Sequence, residues 1–424
     1  MKTSVKAAFW AVMTVLGLGL IPSQVSAIPS FARQTGMSCA ACHTVFPELT
    51  TYGRTFKLNG YTTNNSDSLK DGSDEAGYRL NISNTPPISA MLQLADTFPS
   101  APPSGTISNG SDGKGLLEFP TEFSIFYGGA LSTKAGAFIQ LTYDAGSIGF
   151  DNSDIRIADR FQLGDTDLVL GMTLNNNPTV QDVFNSTPAW GFPYSGGSAA
   201  SVASQMEMGA GVVGGLGVYA FWNQMLYAEI TAYRSMTDAA DPVIQGYAPY
   251  WRVAFTKDFD KHSIEVGAYG LTTHTYAMGT PTLGLGDPDN ISDFAVDAQY
   301  QYVGKEVLFT AKGNYTTENQ KWDFTNPGVE DTFTSLKLDG TFYYDRKIGA
   351  SVGYFRTTGT ADPVLYGAFA NNVPDSAGIV LELNYVPWYN TKFSFQYTSY
   401  SKFDGDELTA SDNNALRLSA WLMI

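Results

Sequence analysis

The chain has 424 residues, with 41 acidic against 25 basic side chains and a formal net charge of −16 at pH 7. That balance argues against nucleic acid as a partner, because a phosphate backbone is held by clustered Lys and Arg. Aromatic residues make up 13% of the chain, and no run of 18 apolar residues follows residue 27, which excludes membrane-spanning helices from the remainder and points to β structure.

The first segment, "MKTSVKAAFWAVMTVLGLGLIPSQVSA", has the pattern of a secretory leader. Lys2 and Lys6 form a basic start, Ala7 to Ile21 is apolar, and Val25-Ser26-Ala27 offers small residues for cleavage. Residues 1–27 are therefore expected to be a signal peptide, and the remainder, without its two lysines, carries −18.

Next comes "SCAACHTVFPEL" at 38–49, which contains both cysteines of the chain, Cys39 and Cys42, and one of its three histidines, His43. Cys-x-x-Cys-His is the attachment signature of c-type haem. Two thiols bond to the two vinyl groups of one porphyrin, and the adjacent imidazole becomes the proximal iron ligand. Attachment takes place outside the cytoplasm, in keeping with an exported chain. Two other chemistries use Cys-x-x-Cys. A redox dithiol is usually set in a βαβ pattern, absent here, and a zinc site needs a second pair of ligands, also absent. Residues 28–85 are thus read as a small domain carrying one covalent haem c. Within it, "FPELTTYGRTFKLNGY" predicts a helix from Pro47 to just before Gly60. Leu49, Tyr52, Gly53 and Phe56 recur at helical spacing and suit one haem face, with Gly53 allowing close approach. Arg33, Arg54 and Lys57 are the candidate cations for the two haem propionates.

From about residue 86 the pattern changes to period two. In the last segment Leu416, Leu418, Ala420, Leu422 and Ile424 share one face, opposite Arg417, Ser419 and Trp421. Such alternation marks strands with two different surroundings. Sixteen strands are expected, near 88–96, 118–131, 135–144, 153–162, 166–174, 208–221, 224–234, 248–258, 262–274, 292–303, 306–316, 332–345, 347–358, 376–387, 390–400 and 414–424. Short connections such as Phe259–Lys261 and Trp388–Tyr389 alternate with long ones such as Asn175–Glu207 and Thr275–Ile291. An even strand count with short turns on one rim and long loops on the other is the layout of an outer-membrane barrel. The expected fold of residues 86–424 is a 16-stranded antiparallel transmembrane β-barrel in contact with outer-membrane lipids. Such a barrel encloses a water-wide lumen unless something fills it. The haem domain is the expected plug, and the loop Asn175–Glu207 is a candidate constriction.

Haem c often takes Met or His opposite its proximal histidine. Met37 sits too close to the attachment loop. Met91 has the parity opposite to Ile88, Leu92 and Leu94, so it faces the lumen if those face lipid. His262, at a short turn, and His274, near a long loop, remain alternatives.

The block "IPSFARQTGMSCAACHTVFPELTTYGRTFKLNGY" (Ile28 to Tyr61) and the segment "PPISAM" (Pro86 to Met91) resemble the fused monohaem cytochrome–porins, outer-membrane iron oxidases of bacteria that oxidise Fe(II). "TLNNNPTVQDVFNSTPAWGFPY" (Thr173 to Tyr194) is similar to a stretch in relatives of that group. The resemblance implies haem attachment at Cys39 and Cys42, proximal ligation by His43, and passage of electrons from an extracellular donor, Fe(II) first, to a periplasmic cytochrome or copper protein. Acidic loop positions Asp287, Asp289, Glu330, Asp331, Asp404, Asp406 and Glu407 suit a cationic donor. Two alternatives stand beside this reading. One is a transport channel with the haem domain as gate or redox sensor, and the other is a conduit for a different extracellular partner.

Overall fold

The computed structural model describes residues 29–44, 48–63, 86–100, 116–144, 146–178, 182–184, 200–206, 213–237, 242–276 and 287–424. The expected signal peptide lies outside the described residues, as do 64–85 at the end of the expected haem domain.

Sixteen long strands form the wall: β1 (Ile88–Pro99), β2 (Leu116–Ala130), β3 (Ala135–Asp144), β4 (Ser147–Leu163), β5 (Thr166–Asn175), β6 (Val213–Trp222), β7 (Leu226–Ser235), β9 (Ala248–Phe259), β10 (His262–Tyr276), β11 (Asp289–Val303), β12 (Val307–Trp322), β13 (Val329–Tyr344), β14 (Ile348–Gly359), β15 (Ser376–Trp388), β16 (Thr391–Lys402) and β17 (Ala415–Met423). A two-residue strand, β8 (Val243–Ile244), is added beside β10. Neighbours pair antiparallel throughout, and β1 pairs with both β2 and β17, which closes the ring. At the closure Met91 lies opposite Met423, and Ala90 and Ile424 exchange both backbone hydrogen bonds.

The period-two pattern is the cause of this wall. Along β11, Asp293, Ala295 and Asp297 are buried while Phe294 and Val296 are exposed. Along β6 and β7, Leu216, Val218 and Ile230 are exposed while Tyr219, Glu229 and Thr231 are buried. Apolar side chains outside and polar ones inside suit a strand between hydrocarbon and lumen. Two hairpins turn through consecutive left-handed residues, Asn223–Gln224 (φ 50 and 54) and Asp345–Arg346 (φ 49 and 55), as expected of type I′ turns that match the strand twist.

Two strands outrun their sequence signal. β4 begins at Ser147 and β12 continues to Trp322. In the extension of β12 the outward residues are Asn319 and Lys321, paired to Thr332 and Glu330. In β12 the ladder thus outlasts the hydrophobic alternation, whereas the added stretch of β4 exposes Ile148 and Phe150 and pairs with β3 beyond a register shift at Ile139/Leu141, which breaks the period-two signal. β8, with two residues, carries no periodicity.

Among the described residues, three short helices lie inside the ring: α1 (Pro29–Thr35), α2 (Cys39–Cys42) and α3 (Thr51–Leu58). The predicted helix from Pro47 starts later. Thr50 is its N-cap, its Oγ1 accepting from the Gly53 amide at 3.2 Å, and Pro47 lies outside the described residues. Gly60, at φ +70, closes the helix as its sequence position suggests. Phe31, Phe56 and Tyr61 form a compact aromatic knot, with centroids 5.3, 5.4 and 6.1 Å apart, that holds α1 to α3.

This plug is bonded to the wall. Tyr219 Oη donates to the Leu58 carbonyl at 2.7 Å, and Tyr61 Oη donates to Asp154 at 2.6 Å. Lys312 Nζ lies 3.2 Å from Glu48. The β5–β6 connection also enters the lumen over its described residues. Asp182, Val183, Phe184 and Met206 are buried, and the Met206 amide donates to Asp293 at 2.6 Å. Lys57 Nζ donates to the Asp182 carbonyl at 3.3 Å, tying the plug to this loop.

Candidate functional site

Cys39 and Cys42 are the two ends of the single turn α2, and His43 is its C-cap. The cysteines are unbridged. Burial pushes the Cys39 thiol up to about 12 and the Cys42 thiol up to about 11, so both are protonated at neutral pH. A redox dithiol or a zinc pair has the opposite need, a thiolate. Gly53 stacks α3 on this turn, since a Cβ there would fall 2.2 Å from the Cys42 carbonyl oxygen. The close approach expected of Gly53 is thus to the α2 backbone.

The imidazole of His43 has its tautomer set by a backbone carbonyl. Its Nδ1 lies 3.2 Å from the Glu48 carbonyl oxygen, which only accepts, so Nδ1 carries the hydrogen and the ring's lone pair is on Nε2. That is the tautomer a metal-binding histidine uses. Glu48 itself is fixed by Thr44 Oγ1 at 2.9 Å and by Lys312.

His43, Cys39, Ala40 and Thr44 face a cleft whose far side is the barrel wall: Tyr343, Arg346, Val386, Tyr389, Lys392 and Met423. The wall residues gather around two tight turns, after β13 and after β15, and the end of β17, so the cleft lies at the short-turn rim. Tyr343 Oη and Lys392 Nζ are buried there without a hydrogen-bond partner among the described residues. A paired thiol turn, a correctly tautomerised histidine and unanswered donors nearby match the donor set of a c-type haem with its two carboxylates. The enclosed space is about 60 Å³, below the several hundred Å³ of a cofactor pocket, so seating the whole group requires plug and wall to part at this seam.

Other expected site residues lie elsewhere. Arg33 donates to the Ile88 carbonyl. Arg54 donates to Gln301 and Ser263 on the wall, and Lys57 to the inward loop. None of the three borders the cleft. Met91 is inward and 3% exposed, as its parity requires, packed with Phe126 and Met423. Of the two methionines, Met423 is the one that lines the cleft. His262 and His274 share the parity of the exposed Ile264 and Val266, opposite the buried Ser263 and Glu265, so both belong to the outer register of β10. His262 stacks on Phe259 and meets Tyr300 Oη at 2.8 Å, in an aromatic group near the short-turn rim. Their candidacy as iron ligands is corrected by that register.

Sequence reasoning missed Lys392, Tyr343 and Met423. The signal was present: Lys392 shares the lumen parity of Ser394 and Gln396, and Met423 that of Trp421. Parity named many inward residues, and only closure of the ring shows which of them meet His43. Several acidic loop residues expected to meet a cation serve the loops themselves. Asp289 accepts the Phe324 and Thr325 amides, Asp406 accepts the Leu408 amide, and Glu407 pairs with Lys402 at 3.2 Å. Among the described residues no group of three or more His, Cys, Asp or Glu is arranged to hold a metal ion.

No protein-family model matches the chain, and no curated protein matches its sequence. Among solved structures, the Salmonella typhi OmpF complex with daunomycin is similar at 14% identity and a TM-score of 0.51, covering 80% of this chain and 97% of that one. The outer membrane channel DcaP of Acinetobacter baumannii has 12% identity and a TM-score of 0.49, covering 80% and 96%. An anion-selective porin from Comamonas acidovorans has 11% identity and a TM-score of 0.43, covering 80% and 98%. At such identities the likeness is one of fold. The chain is a porin-like barrel of sixteen strands, and its lumen holds its own N-terminal helices.

Proposed function

We propose that the protein is a monohaem cytochrome–porin of the bacterial outer membrane, passing electrons from an extracellular donor, Fe(II) foremost, to a periplasmic cytochrome or copper protein. The observation that carries this reading is the Cys-Ala-Ala-Cys-His turn, docked against the inside of a closed barrel at its short-turn rim. In outer-membrane barrels that rim faces the periplasm, which suits delivery to a soluble acceptor. Cys39 and Cys42 supply the thioether anchors, and the Glu48 carbonyl sets the His43 tautomer in which Nε2 is the iron-binding atom. A c-type haem supplies one-electron Fe(III)/Fe(II) chemistry. Plug and inward loop restrict the flow of water and ions through the lumen. Among the described residues, buried carboxylates outnumber buried cations more than two to one, a field that favours a cationic donor.

The test is spectral. Protein made with a haem-attachment system, denatured and run on a gel, should keep a peroxidase stain at its own mass. Cys39→Ala and Cys42→Ala should lose it while the barrel still inserts. The native oxidised protein should show reduced haem bands on mixing with Fe(II). Absence of covalent haem in the wild type would end the reading, and haem that other reductants reduce but Fe(II) does not would move the donor to another partner.

A second reading is solute transport with the N-terminal segment as gate or redox sensor. It is favoured by the likeness of fold to OmpF. Conductance separates the two: a blocked conduit carries almost no ion current, and a porin carries a steady one.

A further inference from the structure

We infer that the propionate cradle of this haem belongs to the barrel wall, built from Tyr343, Lys392 and Arg346, so that the cofactor joins plug to barrel. The inference rests on the cytochrome reading above.

Three observations support it. The first is the pair of unanswered donors. Tyr343 is 1% exposed and Lys392 is 8% exposed, and neither Tyr343 Oη nor Lys392 Nζ has a hydrogen-bond partner among the described residues. Buried polar groups are almost always satisfied, because an unmet one loses its bonds to water without replacement, a greater loss for a charge. Lys392 Nζ lies 3.8 Å from Glu382 and 5.2 Å from the Trp421 ring centroid, contacts that position the ammonium without meeting its hydrogens. The second is rigidity. Tyr343 packs flat over Gly349, its ladder partner, where a Cβ would fall 2.4 Å from the ring. The phenol is therefore fixed toward the cleft. The third is Arg346. It occupies the second position of a type I′ turn at φ +55, where glycine is the comfortable residue. This strained position brings its guanidinium to 3.5 Å from the His43 carbonyl oxygen, at the edge of the same cleft. Two cations and a phenol face Glu382, and the next carboxylate, Glu48, is already answered by Lys312 and Thr44, which leaves a donor-rich wall. Two carboxylates on one ring answer that chemistry.

The cations on the plug are committed elsewhere, Arg54 to Gln301 and Ser263 and Lys57 to Asp182. Covalent attachment fastens the haem to the plug alone. Carboxylates held by β13, β16 and the β13–β14 turn would fasten it to the sleeve as well.

The experiment measures the haem midpoint potential of the full chain in detergent, with covalent haem content determined on each sample. A cation beside a propionate favours the ferrous state, so Lys392→Met should lower the potential at unchanged haem content, and Tyr343→Phe should lower it less. Lys392→Arg should restore it, and Arg33→Gln should leave it at the wild-type value. Heat-modifiable migration checks that each barrel is folded. Covalent haem with a wild-type potential in both Lys392→Met and Tyr343→Phe would overturn the cradle and leave the cytochrome reading intact. A wild type without covalent haem would overturn the cytochrome reading itself. A potential that falls in Arg33→Gln instead would return the propionates to the plug.

Discussion

Removing Arg54 should unlock the plug. This side chain is 4% exposed and donates to Gln301 Oε1 and Ser263 Oγ on the wall, each at 2.8 Å, and to Leu49 O at 2.9 Å and Thr51 Oγ1 at 3.0 Å within the plug. The ring of Phe184, from the inward β5–β6 loop, lies 5.6 Å from its guanidinium carbon. Hydrogen bonds to a charged group contribute about 1.5–3 kcal/mol each. The two wall bonds alone therefore hold about 4 kcal/mol of docking free energy, and each 1.4 kcal/mol is tenfold, so Arg54→Ala should raise the undocked fraction roughly a thousandfold. Planar-bilayer recording reads that fraction as open probability. Wild-type protein should give rare openings, Arg54→Ala frequent porin-sized ones, and Arg54→Lys an intermediate value, because an ammonium keeps the charge and loses the fork. Steady porin current from the wild type, or an open probability unchanged in Arg54→Ala, would refute the assignment of Arg54 as the latch.

Three further outcomes follow from the same geometry. Met423→Ala should alter the oxidised haem spectrum and lower the potential, whereas Met91→Ala, a truncation inside the Phe126 cluster, should cost about 2–5 kcal/mol of seam stability and leave the spectrum alone; a spectrum that follows Met91 would restore the ligand read from strand parity. In protein refolded without haem, maleimide labelling of Cys39 and Cys42 should climb roughly tenfold per pH unit from 7 to 10, because burial raises both thiols to about 12 and 11 and thiolate keeps increasing below those values; a plateau near pH 9, as for an ordinary thiol, would contradict it. Leu408, 95% exposed in the β16–β17 loop, should be labelled as cysteine in intact cells, and Asp260→Cys, in the β9–β10 turn, only after permeabilisation; equal labelling would invert or abolish the topology. Asp289 is unsuited to this test because it is buried against the Phe324 and Thr325 amides.

The wall was legible in the sequence because each strand separates two solvents. Hydrocarbon on one side and lumen on the other impose period two, and a one-residue slip would exchange every side chain between them. That is why β3 matches its expected span and why Met91 could be turned inward from parity alone. Cys39, Cys42 and His43 were legible for a different reason. Their chemistry needs only neighbours within one helical turn, so the chain writes it contiguously. Arg54 shows the limit. As a sequence position it was a cation beside a haem motif, and in the folded protein it binds residues 209 and 247 positions away. Tyr343, Arg346, Lys392 and Met423 show the same limit, brought to His43 from 300 or more residues on. No local pattern encodes such a meeting. It depends on the ring closing between β1 and β17, on the registers accumulated around sixteen strands, and on where α3 docks within them. Periodicity records which solvent a residue meets, and only closure and register decide which neighbours it meets there.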